Sequence, residues 1–208
     1  MAQFELIPWI LGQCTSVKEA RVLLERICIT NISFHESMPV SSLHWIIADR
    51  DEAITLESVR EGIKIYDNPV GVLTNNPTFD RQLAGLNRYM GLSAKSAKEH
   101  IWAELMSCRF RLTAVEWVRL VFRVIFHQNL VLFVFLFVKM NSLSGDSESE
   151  SVSQFFHILG SVDQQRGCCE VKEGAYEITI YTSCCNASKG IYYYTTYENH
   201  QITAVDMN

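Results

Sequence analysis

Apolar positions along the chain follow two different rhythms. Over residues 4–26 they recur at helical spacing: Val17, Ala20, Val22, Leu23 and Leu24 make a broad apolar face ahead of Ile27. Ser16 followed by Glu19 adds capping-box spacing, so the pattern predicts helix over 4–26. From residue 43 the rhythm changes to short β-branched runs: LHWIIAD, EAITLES, IKIYD and VGVLT. They are separated by DRDE, VREG and the Asn68–Pro69 turn signal, which predicts a meander of antiparallel strands with no room for helices between them. Helical spacing returns after Pro77, where Phe79, Leu83, Leu86 and Met90 align before Gly91 stops the run. SVSQFFHILGSV (151–162) predicts another helix, entered through the solvated SGDSESE. The chain closes on a hairpin and a third strand: YEITIYTSC, a turn at Asn186–Gly190, IYYYTTYE, then QITAV. Helix, strands, helices and strands in that order predict an α+β fold.

One stretch breaks this pattern. No glycine occurs between Gly91 and Gly145, and no proline, aspartate or lysine between residues 99 and 138; the stretch ends in LVLFVFLFV (130–138). A membrane span needs ~20 apolar residues. This run has nine, with Arg119, Arg123, His127, Gln128 and Asn129 just before it, so a buried strand is the plainer reading.

Composition narrows the function classes. Hydrophobic residues at 48% and charged ones at 20% describe an ordinary globular chain, not a disordered or fibrous one. The formal charge of −5 and the lack of a basic tail argue against nucleic-acid binding. Residues 1–12 lack a positive n-region and a small-residue cleavage site. Seven cysteines at no zinc-binding spacing then read as reduced thiols of a cytoplasmic protein. The six histidines suggest no triad: His157, within FFHILG, reads as a core residue, and His44 points to the strand face opposite Trp45. Tyr192–Tyr194 reads as sheet surface.

LHWIIADRDEAITLE, IKIYDNPVGVLTNNPTFDRQL and the tail QFFHILGSV…YTSCCNASKGIYYYTTYENHQITAVDMN together resemble the choloylglycine hydrolases. These are the bile salt hydrolases and penicillin V acylases of the N-terminal-nucleophile (Ntn) class. The most specific pieces are VLTNNPTFD (72–80) and GIYYYTTYEN (190–199). The resemblance covers residues 1–105 and about 138–208. It implies an αββα sandwich of four layers, antiparallel sheets with flanking helices, that hydrolyses the amide joining a bile acid to glycine or taurine. It also implies no cofactor and no metal, conjugated bile acids or related amides as substrates, and a homo-oligomer. The nucleophile is a processed N-terminal cysteine whose thiolate attacks the amide carbon while positioned donors stabilise the oxyanion.

Against that pattern the chain reads as a partial domain, an incomplete sandwich lacking its N-terminal part. The nucleophile, its neighbouring Arg and Asp, and the first oxyanion-hole asparagine are expected upstream of Met1. None of Cys14, Cys28, Cys108, Cys168, Cys169, Cys184 or Cys185 follows a plausible processing start. The expectation is a catalytically incomplete chain that does not form the family's oligomer. One catalytic position carries over: Asn75 in VLTNNP matches the strand-end asparagine that stabilises the tetrahedral intermediate. Read without the resemblance, Asn75 simply opens a turn before Pro77. Phe34 and Met38, in NISFHESMP, match apolar positions on a loop lining the bile-acid pocket, where packing beneath a loop is the plainer alternative.

The anomalous block has its own explanation. The family carries a Gly-Leu-Pro-Gly-Asp signature and a catalytic arginine there, and neither is visible. One nucleotide earlier, the codons of Phe122 to Phe126 permit Leu-Pro-Gly-Asp-Leu, and those of Leu130 to Val134 permit Ser-Arg-Phe-Val-Arg. Leu112 to Trp117 likewise permit Tyr-Ser-Arg-Gly-Met-Gly. Residues 106–138 therefore read as a frameshifted segment bounded near Leu105 and Val134, with family sequence resuming at about FVKMNS. The alternative class is a non-enzymatic membrane-associated or partner-binding protein using 118–138.

Overall fold

A three-stranded antiparallel sheet organises the first part of the chain: β1 (His44–Ala48), β2 (Ala53–Val59) and β3 (Gly62–Asp67), in the order β1-β2-β3. The computed structural model describes residues 1–36, 40, 43–87 and 128–208, with the backbone alone for 128–130. Two compact units divide it, Met1–Gly85 and Leu86–Asn208.

In the first unit the predicted helix over 4–26 is two helices, α1 (Leu6–Leu11) and α2 (Val17–Leu24), after a 3-10 turn at Gln3–Glu5. The break has a local cause. Gly12 ends α1, and Ser16 offers its hydroxyl oxygen to the Glu19 N–H while the Thr15 hydroxyl donates to the Glu19 carboxylate, which favours a fresh start over a continuous helix. Ser16 caps α2 by accepting from the Glu19 N–H, while the Glu19 carboxylate accepts from the Thr15 N–H at 2.8 Å. The apolar faces of both helices join Trp45, Ile54 and Leu56 in one core with Leu6, Ile10, Val17, Ala20, Leu24 and Ile29.

Pairing of Trp45 with Leu56 and of His44 with Glu57 puts the aromatic residue on the core face and His44 on the other, as the alternation predicts. Asp49 ties α2 to the β1–β2 turn: its carboxylate accepts from the N–H groups of Val17 (2.8 Å), Asp51 and Glu52 (both 2.9 Å). The expected strand VGVLT does not form. Asn68 takes its place in the bonding, accepting from the Gly71 N–H and donating to the Val72 carbonyl, and Gly71 adopts φ +61°. Those backbone groups are satisfied by a side chain, so no ladder is needed. Helix α3 (Phe79–Leu86) follows; Met90 and Gly91 of its predicted end lie outside the described residues.

In the second unit the apolar run belongs to a helix, α4 (Gln128–Asn141), and not to the strand weighed above. Its Leu132, Phe133 and Val134 are buried, with Val131, Phe137, Val138 and Val162 packed around Phe133 and Val134. Helix α5 (Glu148–Gly160) begins three residues earlier than predicted, because SGDSESE supplies a full capping box: Ser147 accepts from the Glu150 N–H and the Glu150 carboxylate accepts from the Ser147 N–H. His157 is exposed in its last turn, a correction to its reading as core.

A short pair, β4 (Glu170–Lys172) and β5 (Ala175–Tyr176), precedes the second three-stranded antiparallel sheet of β6 (Tyr181–Asn186), β7 (Ile191–Thr196) and β8 (Thr203–Asp206). Glu148 of α5 fastens the β6–β7 hairpin by accepting from Asn186 Nδ2 (2.5 Å), Lys189 Nζ (2.5 Å) and the Tyr193 hydroxyl (3.1 Å). Tyr192 and Tyr194 lie together on the opposite sheet face, ring centroids 6.3 Å apart. Antiparallel sheets and helices thus make an α+β fold, as the pattern predicts. Among the described residues no helix is long and apolar enough to cross a membrane.

Candidate functional site

The polar face of β2 decides what lies beneath Asn75. Ile54 and Leu56 point into the apolar core, so Thr55 and Glu57 must point the other way. Both are nevertheless buried, Glu57 to 1% exposure. A polar group taken from water costs free energy unless it is hydrogen-bonded, and here the loop between β3 and α3 supplies the partners.

Asn68 donates from Nδ2 to Thr55 Oγ1 and to the Val72 carbonyl, each at 3.0 Å. Glu57 Oε1 accepts from the Phe79 N–H at 2.9 Å and lies 2.9 Å from His44 Nδ1. Gln82, 1% exposed, faces back from the first turn of α3 toward the loop. Its Nε2 donates to the carbonyls of Thr74 (3.2 Å), Asn75 (3.2 Å) and Pro77 (2.6 Å), and its Oε1 accepts from the Thr74 hydroxyl at 3.0 Å. The Asn76–Pro77 peptide within this loop is cis. Tyr66 packs its ring on Phe79, centroids 6.0 Å apart, and burial, then the charges of Asp80 and Glu57, push its phenol up.

Asn75 sits at the exposed apex of the loop these groups hold. Its backbone carbonyl is engaged by Gln82, while its side-chain amide makes no hydrogen bond to the described residues. Chemically this is a primary amide with free N–H donors on a fixed backbone, which is what an oxyanion-stabilising group requires. Phe34 is 71% exposed and meets Phe4 edge-on, centroids 5.1 Å apart. Met38 lies outside the described residues, as do Cys108 and most of 106–138.

Three of the described cysteines offer a poor nucleophile. Burial, ahead of nearby negative charge, raises the thiols of Cys14, Cys169 and Cys184. A catalytic thiol needs the opposite shift. The second unit carries a polar groove of about 240 Å³ lined by Asp163, Thr179, Tyr181, Tyr197 and His200, with no cysteine in its wall. Among the described residues no three His, Cys, Asp or Glu side chains are grouped to hold a metal.

The sequence names Asn75 as a candidate and gives no such mark to Gln82, Glu57, Thr55 or Asn68, which hold its loop. Gln82 stands three residues after Phe79, the spacing of the same helix face, and that spacing was the available signal. Thr55 and Glu57 look like the solvent side of an alternating strand, and nothing local marks them as buried.

Comparison with known proteins places this geometry. Residues 1–208 match the linear amide C–N hydrolases of the choloylglycine hydrolase family. The bile salt hydrolase/transferase of Lactiplantibacillus plantarum is 51% identical over 99% of this chain and 62% of its own length. That of Clostridium perfringens is 36% identical, again over 99% of the chain and 62% of the relative. The chain thus spans about 62% of the length of these curated relatives. Among solved structures, a variant of conjugated bile acid hydrolase from Clostridium perfringens superposes with a TM-score of 0.84 at 35% identity, covering all of this chain and 63% of that one. Penicillin V acylase from Agrobacterium tumefaciens shares the fold, with a TM-score of 0.66 at 15% identity over all of this chain and 56% of that one. With a family match over its whole length and an α+β fold of the Ntn-hydrolase type, the chain belongs to the choloylglycine hydrolase family.

Proposed function

We propose that these residues are the larger part of an enzyme that hydrolyses the amide between a bile acid and glycine or taurine, with Asn75 as an oxyanion donor. The observation that carries this is the free side-chain amide of Asn75 on a loop pinned by Gln82, Glu57 and Asn68, in a chain matched to the family from end to end. In the proposed reaction a cysteine thiolate attacks the carbonyl carbon, and the C=O π electrons move onto oxygen, where the Asn75 N–H donates. Collapse of that intermediate breaks the C–N bond, and the amine leaves with a proton. Water then hydrolyses the thioester and frees the bile acid. By the family match, exposed Phe34 is assigned to the steroid-binding side of the substrate site; Met38, matched to the same loop, lies outside the described residues.

The raised thiols of Cys14, Cys169 and Cys184 support assigning the nucleophile to an N-terminal cysteine that residues 1–208 do not contain. On that assignment residues 1–208 alone release neither glycine nor taurine. The experiment is amine release from a glycine- and a taurine-conjugated bile acid, by residues 1–208 and by the product of the whole reading frame around them. Release by the second and not by the first is expected; thiol-sensitive release by residues 1–208 overturns the assignment.

We further propose that 106–138 holds a pair of compensating frameshifts within one partial domain. Genomic sequence with a one-base change near Leu105 and another near Val134 is the expected result, and one clean frame refutes it. The burial of Leu132, Phe133 and Val134 weighs on the other side. Location in the cytoplasm is proposed from the free state of Cys14, Cys28, Cys168, Cys169, Cys184 and Cys185, and fractionation tests it.

A further inference from the structure

We propose that Gln82 is a positioning residue for Asn75: its side-chain amide sets the backbone from Thr74 to Pro77 and thereby aims the Asn75 amide at the developing oxyanion. The inference rests on the hydrolase reading above and adds a residue to it.

A short loop without a ladder does little to fix its own backbone. Residues 74–77 follow the Asn68 turn and precede α3, so their carbonyls have no strand or helix ladder to enter. Left to water, such a segment samples many backbone states, each placing the Asn75 side chain differently. Gln82 removes that freedom from one point. Its two Nε2 protons serve the carbonyls of Thr74, Asn75 and Pro77, and its Oε1 takes the Thr74 hydroxyl. One side chain thus holds residues on both sides of Asn75 and Asn75 itself.

Gln82 is in turn fixed by its own surroundings. It is 1% exposed, on a helix whose Phe79 is fully buried and whose Phe79 N–H is bound by Glu57 of the central strand. A rigid strand therefore fixes a helix, the helix fixes Gln82, and Gln82 fixes the loop. The Asn75 side chain is not spent in this chain of bonds. A donor that must meet charge only in the transition state is worth most when it needs no reorganisation to do so.

Thr74 and Pro77 could in principle be held by packing alone, so the test separates hydrogen bonding from bulk. Gln82→Met keeps the volume and removes the donors; Gln82→Glu keeps the shape and the bond from Thr74 but turns acceptors toward three carbonyls. In the whole-frame protein, NMR would follow the Asn75 backbone and side-chain amide resonances, with thermal unfolding as the control. Both variants should shift or broaden the Asn75 signals while distant β6–β7 resonances stay in place. In the whole-frame enzyme, Gln82→Met should lower kcat roughly tenfold to a hundredfold with KM changed less than about threefold, the signature of a misplaced transition-state contact.

Asn75 resonances unmoved by either substitution would overturn the proposal, as would a wild-type kcat. If the variants do not fold, wild-type exchange decides: the Gln82 Nε2 protons must be protected from water, and exchange at the rate of a free amide refutes the assignment. A wild-type enzyme with no amidase activity defeats the hydrolase reading instead, and the NMR arm still decides whether Gln82 holds Asn75.

Discussion

Glu57→Ala should destabilise the first unit by about 3 kcal/mol, and Glu57→Gln by roughly 1 kcal/mol. Glu57 is 1% exposed and its Oε1 accepts from the Phe79 N–H at 2.9 Å, with His44 Nδ1 also 2.9 Å away. Hydrogen bonds to an ionised acceptor contribute about 1.5–3 kcal/mol, and a buried donor left unpaired costs about 1–3 kcal/mol. Truncation to alanine removes the acceptor of the Phe79 N–H, which water cannot replace at a fully buried residue. Part of that loss is offset, because Glu57 Oε2 has no partner among the described residues and its desolvation is relieved. Glutamine keeps an oxygen for the Phe79 N–H and puts an NH2 group at the unpartnered Oε2 position, a smaller loss than removing the acceptor. Urea unfolding followed by fluorescence, in a background that keeps Trp45 as the sole tryptophan, reports on this sheet, where Trp45 pairs with Leu56. At an ordinary slope of about 1–3 kcal/mol per molar urea, the alanine midpoint should fall by at least about 1 M while the slope stays constant. An alanine variant within about 0.5 kcal/mol of wild type, or a glutamine variant as unstable as alanine, would refute the claim that Glu57 tethers α3.

Two further outcomes follow from other parts of the chain. The backbone N–H of Val17, then those of Glu52 and Asp51, hold the Asp49 carboxyl below its ordinary value. A depressed carboxyl contributes stability above its unfolded pKa and loses it as pH falls through the folded one, so Asp49→Asn should flatten the acid limb of urea midpoint against pH, and an unchanged limb would contradict this. Residues 1–208 also expose Phe4, Ile7, Leu11, Phe34, Leu143 and Ile180, so expression without detergent should yield mainly insoluble or polydisperse material on size exclusion, and a sharp monomer or tetramer would contradict that.

What was legible in the sequence followed period and punctuation. The strands β1 to β3, the β6–β7–β8 hairpin and third strand, and the start of α3 all carry local signals that tertiary structure did not override. Three of the failures share a cause. Ser16 and Ser147 start helices where the apolar rhythm alone would run on or begin later, since capping acts through side-chain bonds that hydropathy does not register. VGVLT was lost to Asn68, whose side chain replaces a strand partner. The candidate site was half visible: VLTNNP singles out Asn75 as a candidate, but the alternation of AITLES gives no hint that Thr55 and Glu57 are buried beneath a loop. A polar residue facing a polar cover looks, along the chain, like one facing water.

The central claim is that Asn75 donates to the oxyanion of an amide hydrolysis, and steady-state release of glycine from its bile-acid conjugate tests it most directly. In the whole-frame enzyme, Asn75→Ala should lower kcat by about 10²–10³-fold, the loss of one oxyanion donor, with KM within a few-fold of wild type. A kcat within about threefold of wild type, or a loss confined to KM, would show that Asn75 belongs to the loop and not to the chemistry.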